Sequence, residues 1–156
     1  MLRDGASRLL VFRLGTELFG VDLAAVEQVV DAPESKPIPD SPPSVRGLTS
    51  LQGELVTLYD LQHLLNVRPR AIHAALVFRR GDRRLAVAVE DVFDTMTIEE
   101  GMLRKAPGAG VQGDVLIGVV RRGRHLVGVL DPILLIDTLA GPAEVAGVTA
   151  NGRNGT

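Results

Sequence analysis

The sequence predicts a mainly β fold of two similar barrels packed on each other, and three observations predict it. The chain repeats itself: "FRLGTELFGVDLAAV" from Phe12 aligns with "FRRGDRRLAVAVEDV" from Phe78 at an offset of 66, and "GELVTLYDLQHLL" aligns with "RHLVGVLDPILLI" at an offset of 71. Self-similarity at a near-constant spacing marks a duplicated supersecondary unit. The 46% apolar fraction is built from Val, Leu and Ile, with four Phe, one Tyr and no Trp, a set that suits pleated, half-buried surfaces. Apolar runs also end in turn residues, as where "SRLLVFRLG" stops at Gly15 before "ELFGV" resumes.

At 156 residues the chain fits one domain or two small halves sharing an interface. We expect a single domain over residues 7–140, made of two intertwined barrel units, with the repeat breaking near 66–70 at "NVRPR". Each copy alone would expose much of its core. The two should therefore pack together, and a groove between them becomes the natural partner site. The tail 141–156, "GPAEVAGVTANGRNGT", has small residues and no apolar periodicity, and is expected to be mobile.

In order along the chain, the first two strands flank the Gly15 turn. Asp22 then opens "DLAAVEQVV", where Leu23, Val26 and Val30 fall at helical spacings, so a short helix with an N-capping Asp is expected. "APESKPIPDSPPS" carries five prolines, which remove backbone donors and favour extended geometry. It reads as an irregular surface connector. "GLTSL" and "ELVTLY" form a hairpin around Gln52-Gly53, and Asp60 caps a second short helix in "DLQHLL". The second copy repeats this order, with Asp131 at its last cap.

Several chemistries are disfavoured. There is no Cys, which removes disulfides, thiolate nucleophiles and cysteine-based metal sites. The net charge of −2 offers no global field for nucleic acid or anionic membrane. No segment approaches the roughly 20 apolar residues of a membrane span, and the N-terminus lacks the apolar region of a signal peptide. A cytoplasmic location is expected. His63, His73 and His125 lack metal-ligand spacing. Asp22, Asp60 and Asp131 precede helices and read as caps. Glu90, Asp91 and Asp94 read as a solvated face, and "GAGVQG", Gly108 to Gly113, as a plain loop. Arg79, Arg80, Arg83 and Arg84 crowd one hairpin tip, and Arg121, Arg122 and Arg124 another. Without stacking aromatics, these read as solvated turn residues that discourage edge pairing. A barrel binding single-stranded nucleic acid through these tips is the remote alternative. No reactive centre, metal or cofactor is expected, and an interaction module is the default.

"LLVFRLGTELFGVDLAAVEQV" and "IPDSPPSVRGLTSLQGELVTLYDLQHLL" resemble the CheW-like domain family, the adaptors of bacterial chemosensory arrays. The likeness runs from about Leu9 to Leu139 and has no gap between Phe12 and Asp60. It implies two five-stranded, SH3-like barrels around a hydrophobic core. It also implies a non-catalytic adaptor at receptor arrays, binding chemoreceptor cytoplasmic tips and the regulatory domain of a CheA-type histidine kinase, without nucleic acid or membrane insertion. Carried onto this chain, partner binding falls on Val26, Glu27, Gln28, Val30, Gly47, Thr49, Gln52 and Gly53.

The chain departs from the family pattern where that surface would be. Gln28 stands where the family has a Glu, and Gln52 where it has an Arg, two residues that pair across the partner-facing surface. Thr57 replaces a frequent Pro, and Ser44 a frequent aromatic. Losing both charges together leaves neither unpaired, and two amides can still hydrogen-bond. The barrel is therefore expected to be intact and its surface altered. One alternative is a member that binds receptor but has lost kinase coupling.

Overall fold

The computed structural model describes residues 6–105 and 115–141. Among these residues, ten strands form two five-stranded sheets. The first copy of the repeat supplies β1 (Ala6–Leu14), β2 (Glu17–Asp22), β3 (Val26–Asp31), β4 (Val45–Leu51), β5 (Glu54–Tyr59) and the short helix α1 (Gln62–Leu65). The second supplies β6 (Ala74–Arg80), β7 (Arg83–Val89), β8 (Asp91–Glu99), β9 (Leu116–Arg122), β10 (His125–Leu130) and α2 (Pro132–Ala140). The expected mainly β architecture of two five-stranded units is present.

The copies exchange strands. One sheet has the order β8-β1-β2-β10-β9 and the other β3-β6-β7-β5-β4. Each therefore joins the opening hairpin of one copy to three strands of the other; we call them the first and second barrels. Each sheet mixes antiparallel pairs with one parallel pair, β10 with β2 and β5 with β7.

Both barrels close through equivalent two-bond bridges. Beyond β3, Lys36 N–H donates to the Leu48 carbonyl and Leu48 N–H to the Lys36 carbonyl, each at 2.8 Å. Beyond β8, Arg104 and Val119 exchange the same pair of bonds at 2.8 and 2.7 Å. The preceding residues, Gly47 and Gly118, stand one repeat apart. A Cβ on Gly47 would lie 2.2 Å from the Lys36 oxygen, and one on Gly118 2.5 Å from that of Arg104. Both bridges need the missing side chain.

Period-two alternation builds three cores from the same strands. Leu9 and Val11 point into the first barrel, with Leu18, Ile98, Val120, Val127 and Val129. Ala75 and Val77 point into the second, with Leu51, Val56, Leu58, Ala86 and Ala88. Their neighbours Leu10, Phe12 and Leu14, and Leu76 and Phe78, face a shared cluster between the barrels that Val21, Val87 and Leu130 complete. Burial on both faces explains why β1 and β6 read as near-continuous apolar runs.

Two expectations are corrected. The helix expected after Asp22 is a single 3-10 turn, Leu23–Ala25, followed by strand β3. Asp22 does cap that turn, accepting from Ala24 N–H at 3.0 Å, but Val26, Gln28 and Val30 then alternate in burial with Glu27, Val29 and Asp31. Three Val in six residues favour the pleat. Glu90 is buried rather than solvated. Its Oε1 accepts from Gly15 N–H at 3.0 Å and Arg70 N–H at 3.1 Å, fastening the link between the copies to the β1–β2 turn. Asp131 caps α2 as expected, accepting from Ile133 and Leu134 N–H, whereas Asp60 stands one residue before the Leu61 N-cap of α1 and accepts from Gln62 N–H. The Gly108–Gly113 loop, and the tail beyond Gly141, lie outside the described residues.

Candidate functional site

The β4–β5 hairpin turns on Gln52 and Gly53, with φ of 52° and 83°. Two consecutive positive φ values are the signature of a type I′ hairpin turn, in which Gly is favoured because it lacks a Cβ. The turn raises the Gln52 side chain towards β3. There a β-bulge intervenes: Val26 pairs with Phe78 and Gln28 with Val77, so Glu27 is the extra residue. A bulge re-aims side chains, and here Glu27 and Gln28, adjacent in sequence, reach one polar cluster.

At the centre of that cluster is Arg84 on β7, whose side chain is only 8% exposed. Its Nε donates to Glu54 Oε1 at 2.7 Å, its Nη2 to the Leu51 carbonyl at 3.1 Å, and its Nη1 to Gln52 Oε1 at 3.0 Å. Nη1 also lies 3.4 Å from Glu27 Oε1. Arg79 Nε donates to Glu27 Oε2 at 2.6 Å. The hydrogen bond from Arg79, with the charges of both arginines, holds the Glu27 carboxyl below its ordinary range despite partial burial. The Glu54 bond likewise raises Arg84.

Over this cluster the two amides pair. Gln28 Nε2 donates to Gln52 Oε1 at 3.3 Å, and Gln52 Nε2 donates back to Gln28 Oε1 at 3.4 Å. The amide pairing expected from the double replacement is therefore present.

The other candidate positions hold the scaffold. Val26 packs against the shared cluster and Val30 against the second barrel's core. Gly47 admits the Lys36 carbonyl. Thr49 is buried, its hydroxyl donating to the Glu34 carbonyl at 2.6 Å. Gly53 supplies turn conformation, since a Cβ there would meet nothing within 4 Å.

Beside the cluster a cleft of about 520 Å³ runs between the barrels, lined by Ala24, Ala25, Glu27, Arg79, Arg80, Gly81, Pro132, Ile133 and Ile136. A larger groove of about 840 Å³ shares four of those residues and extends along Ser7, Arg8, Asp22 and Thr97. α2 forms one wall and is tied across by an ion pair between Asp137 and Arg80.

Sequence reasoning missed Arg84 and misjudged its neighbours. Arg79, Arg80 and Arg84 are held by internal carboxylates instead of being plain solvated turn residues. One signal pointed to Arg84: it stands one repeat after Leu18, so a cation occupies a position that is apolar in the other copy. Among the described residues, no group of three His, Asp or Glu could hold a metal ion, and no helix is long and apolar enough to cross a membrane.

The CheW-like domain family model matches residues 8–140. Chemotaxis protein CheW of Treponema pallidum is 24% identical over 139 residues, covering 83% of this chain and 82% of that protein. Chemotaxis protein CheW of Klebsiella aerogenes is 25% identical over 142 residues, covering 88% of this chain and 83% of its own. The crystal structure of the scaffolding protein TtCheW from Thermoanaerobacter tengcongensis superposes with a TM-score of 0.73 at 19% identity, covering 89% of this chain and 97% of that one. That likeness carries the fold alone, but the family model spans most of the chain: this protein is a member of the CheW-like domain family.

Proposed function

We propose that the chain is a non-catalytic adaptor that binds chemoreceptor cytoplasmic tips and couples them to a CheA-type histidine kinase in the cytoplasm, at receptor arrays. The family match across residues 8–140 carries this reading. The relatives' names, chemotaxis proteins and a scaffolding protein, support it. The docking surface is the exposed face formed by Glu27, Gln28 and Gln52, flanked by Val26, Val30 and the inter-barrel cleft. Gly47, Thr49 and Gly53 shape the hairpin that presents it.

Reconstitution tests the reading. Adding the chain to receptor and kinase should raise kinase autophosphorylation above receptor plus kinase alone. No rise, with receptor binding retained in a pull-down against separate fragments, would leave a member that binds receptor without coupling. The Gln28–Gln52 pair favours that second reading, since no charge is shown where the family pattern has two. If the pair is the cause, Gln28→Glu combined with Gln52→Arg restores kinase binding, and Gln52→Arg alone does so less well.

A further inference from the structure

The cluster beneath the two amides fixes which way each one faces. Which atom of a Gln side chain is oxygen follows from its hydrogen-bond partners. Arg84 can only donate, so the Gln52 atom 3.0 Å from its Nη1 is the oxygen. Gln52 Nε2 must then meet an acceptor, the Gln28 oxygen, and Gln28 Nε2 returns to Gln52 Oε1. Arg84 is in turn held by Glu54 and the Leu51 carbonyl, so Gln52 cannot flip without leaving an arginine proton unpaired, and Gln28 cannot flip without setting oxygen against oxygen and N–H against N–H.

The donors and acceptors that the pair leaves unused decide what it can still bind. Gln52 Oε1 has two donors and is full. One N–H of each amide, and one lone pair of Gln28 Oε1, remain open to solvent. The charges below cancel, since Glu27 and Glu54 face Arg79 and Arg84, so the cluster favours neither sign. A carboxylate would satisfy the N–H groups but oppose the lone pair, and a cation would oppose the N–H groups. A hydroxyl offers donor and acceptor on one atom, whereas a carboxamide sets them on two separate atoms, as the paired amides facing it do. Main-chain amides of a folded partner are already paired, which leaves a side chain.

We propose that Gln28 and Gln52, oriented by Arg84 as a positioning residue, form a carboxamide-reading site for one Asn or Gln side chain of the docking partner. This rests on the adaptor reading and names the chemistry of the same surface.

The experiment uses the full chain and a chemoreceptor cytoplasmic fragment from the same organism, with affinity measured by calorimetry. Each Asn or Gln of the fragment is changed singly to Asp or Glu. One position should lose about fivefold in affinity for the wild-type chain, as expected for one hydrogen bond. The isosteric Gln52→Glu variant should cost about as much, and the two losses should not add. Arg84→Lys should weaken binding less than Arg84→Met, because an ammonium still donates to Gln52. The separation between Lys and Met is a readout that general destabilisation would not give, provided both melt cooperatively. Binding that is unaffected by every carboxamide change, or losses that simply add, would overturn the site while leaving the adaptor reading intact. No binding of the wild-type chain would overturn both.

Discussion

In the second barrel, Arg79 donates to Glu27, the bulged residue of β3, at 2.6 Å. One repeat away in the first barrel, Arg13 lies over the ring of Phe93, the bulged residue of β8, 4.9 Å from its centroid. The arginine and the bulge are kept, but an ion pair on one side is a cation–π contact on the other. Arg84 corresponds to Leu18, which is buried with apolar neighbours, and Gln52 corresponds to Gly123. The barrel can thus be built at this end without a polar cluster. The Arg84 cluster is an addition to the second barrel, and the fold itself does not require it. What the two barrels share, closure and core, is where substitutions should hurt most.

Closure gives the largest expected effect. Gly47→Ala sets a Cβ against a backbone oxygen that cannot rotate away, and should cost more than about 3 kcal/mol in urea unfolding, at the upper end of overpacking. Gly118→Ala, with the longer 2.5 Å approach, should cost less but remain clearly destabilising. Equal and small costs would show that the bridges are dispensable and that the barrels are open sheets in solution.

The cores differ by an exchange of volume. In the first barrel Leu9 faces Gly20, where a Cβ would lie 3.1 Å from Leu9 Cδ1. The equivalent pair in the second barrel is Ala75 and Ala86, both buried. Leu9→Ala should cost about 2.5 kcal/mol as a cavity, and Gly20→Ala about 1 kcal/mol from crowding. Together they recreate the second barrel's combination, so the double variant should be about 1 kcal/mol better than the sum. Strict additivity would mean that the two positions do not compensate.

How much of this could be read from sequence follows from the range of each interaction. The duplication is legible as direct similarity of two stretches, and the Gly15 and Gln52-Gly53 turns and the aspartates before helices are legible because they depend on neighbours within a few residues. The stretch after Asp22 is ambiguous because Leu23, Val26 and Val30 satisfy a helical spacing while Val26, Gln28 and Val30 satisfy a strand. Pairing with β6, some fifty residues on, decides between them. Glu90 and Arg84 were misread for the same reason: their partners Gly15 and Arg70, or Glu54, Leu51 and Gln52, come from other strands and turns. The strand exchange that assembles those partners leaves no local mark.

Arg84→Leu makes the second barrel resemble the first at this position. Glu54 and the Leu51 carbonyl would lose a donor that is itself largely buried, so the variant should stay cooperatively folded but melt below wild type. A melting temperature at or above wild type would show that the cluster costs stability and is kept for recognition, since well-packed apolar replacements of buried charges can be stabilising.

The smallest expected effect is a pH dependence confined to the second barrel. Glu27 has its carboxyl lowered from 4.5 by the Arg79 hydrogen bond and by the charges of Arg79 and Arg84. Because the folded value lies below the unfolded one, the unfolded state binds more protons as pH falls through that range. The contribution is therefore complete above the unfolded value and is lost on acidification through the folded value. The melting-temperature gap between wild type and Glu27→Gln should be full at about pH 6 and close progressively below about pH 4.5. Phe93→Leu in the first barrel removes the matching contact without a titrating group, so its gap from wild type should stay flat across the same range. If both gaps narrow together, acid acts on the shared core and the two barrel ends are not electrostatically distinct.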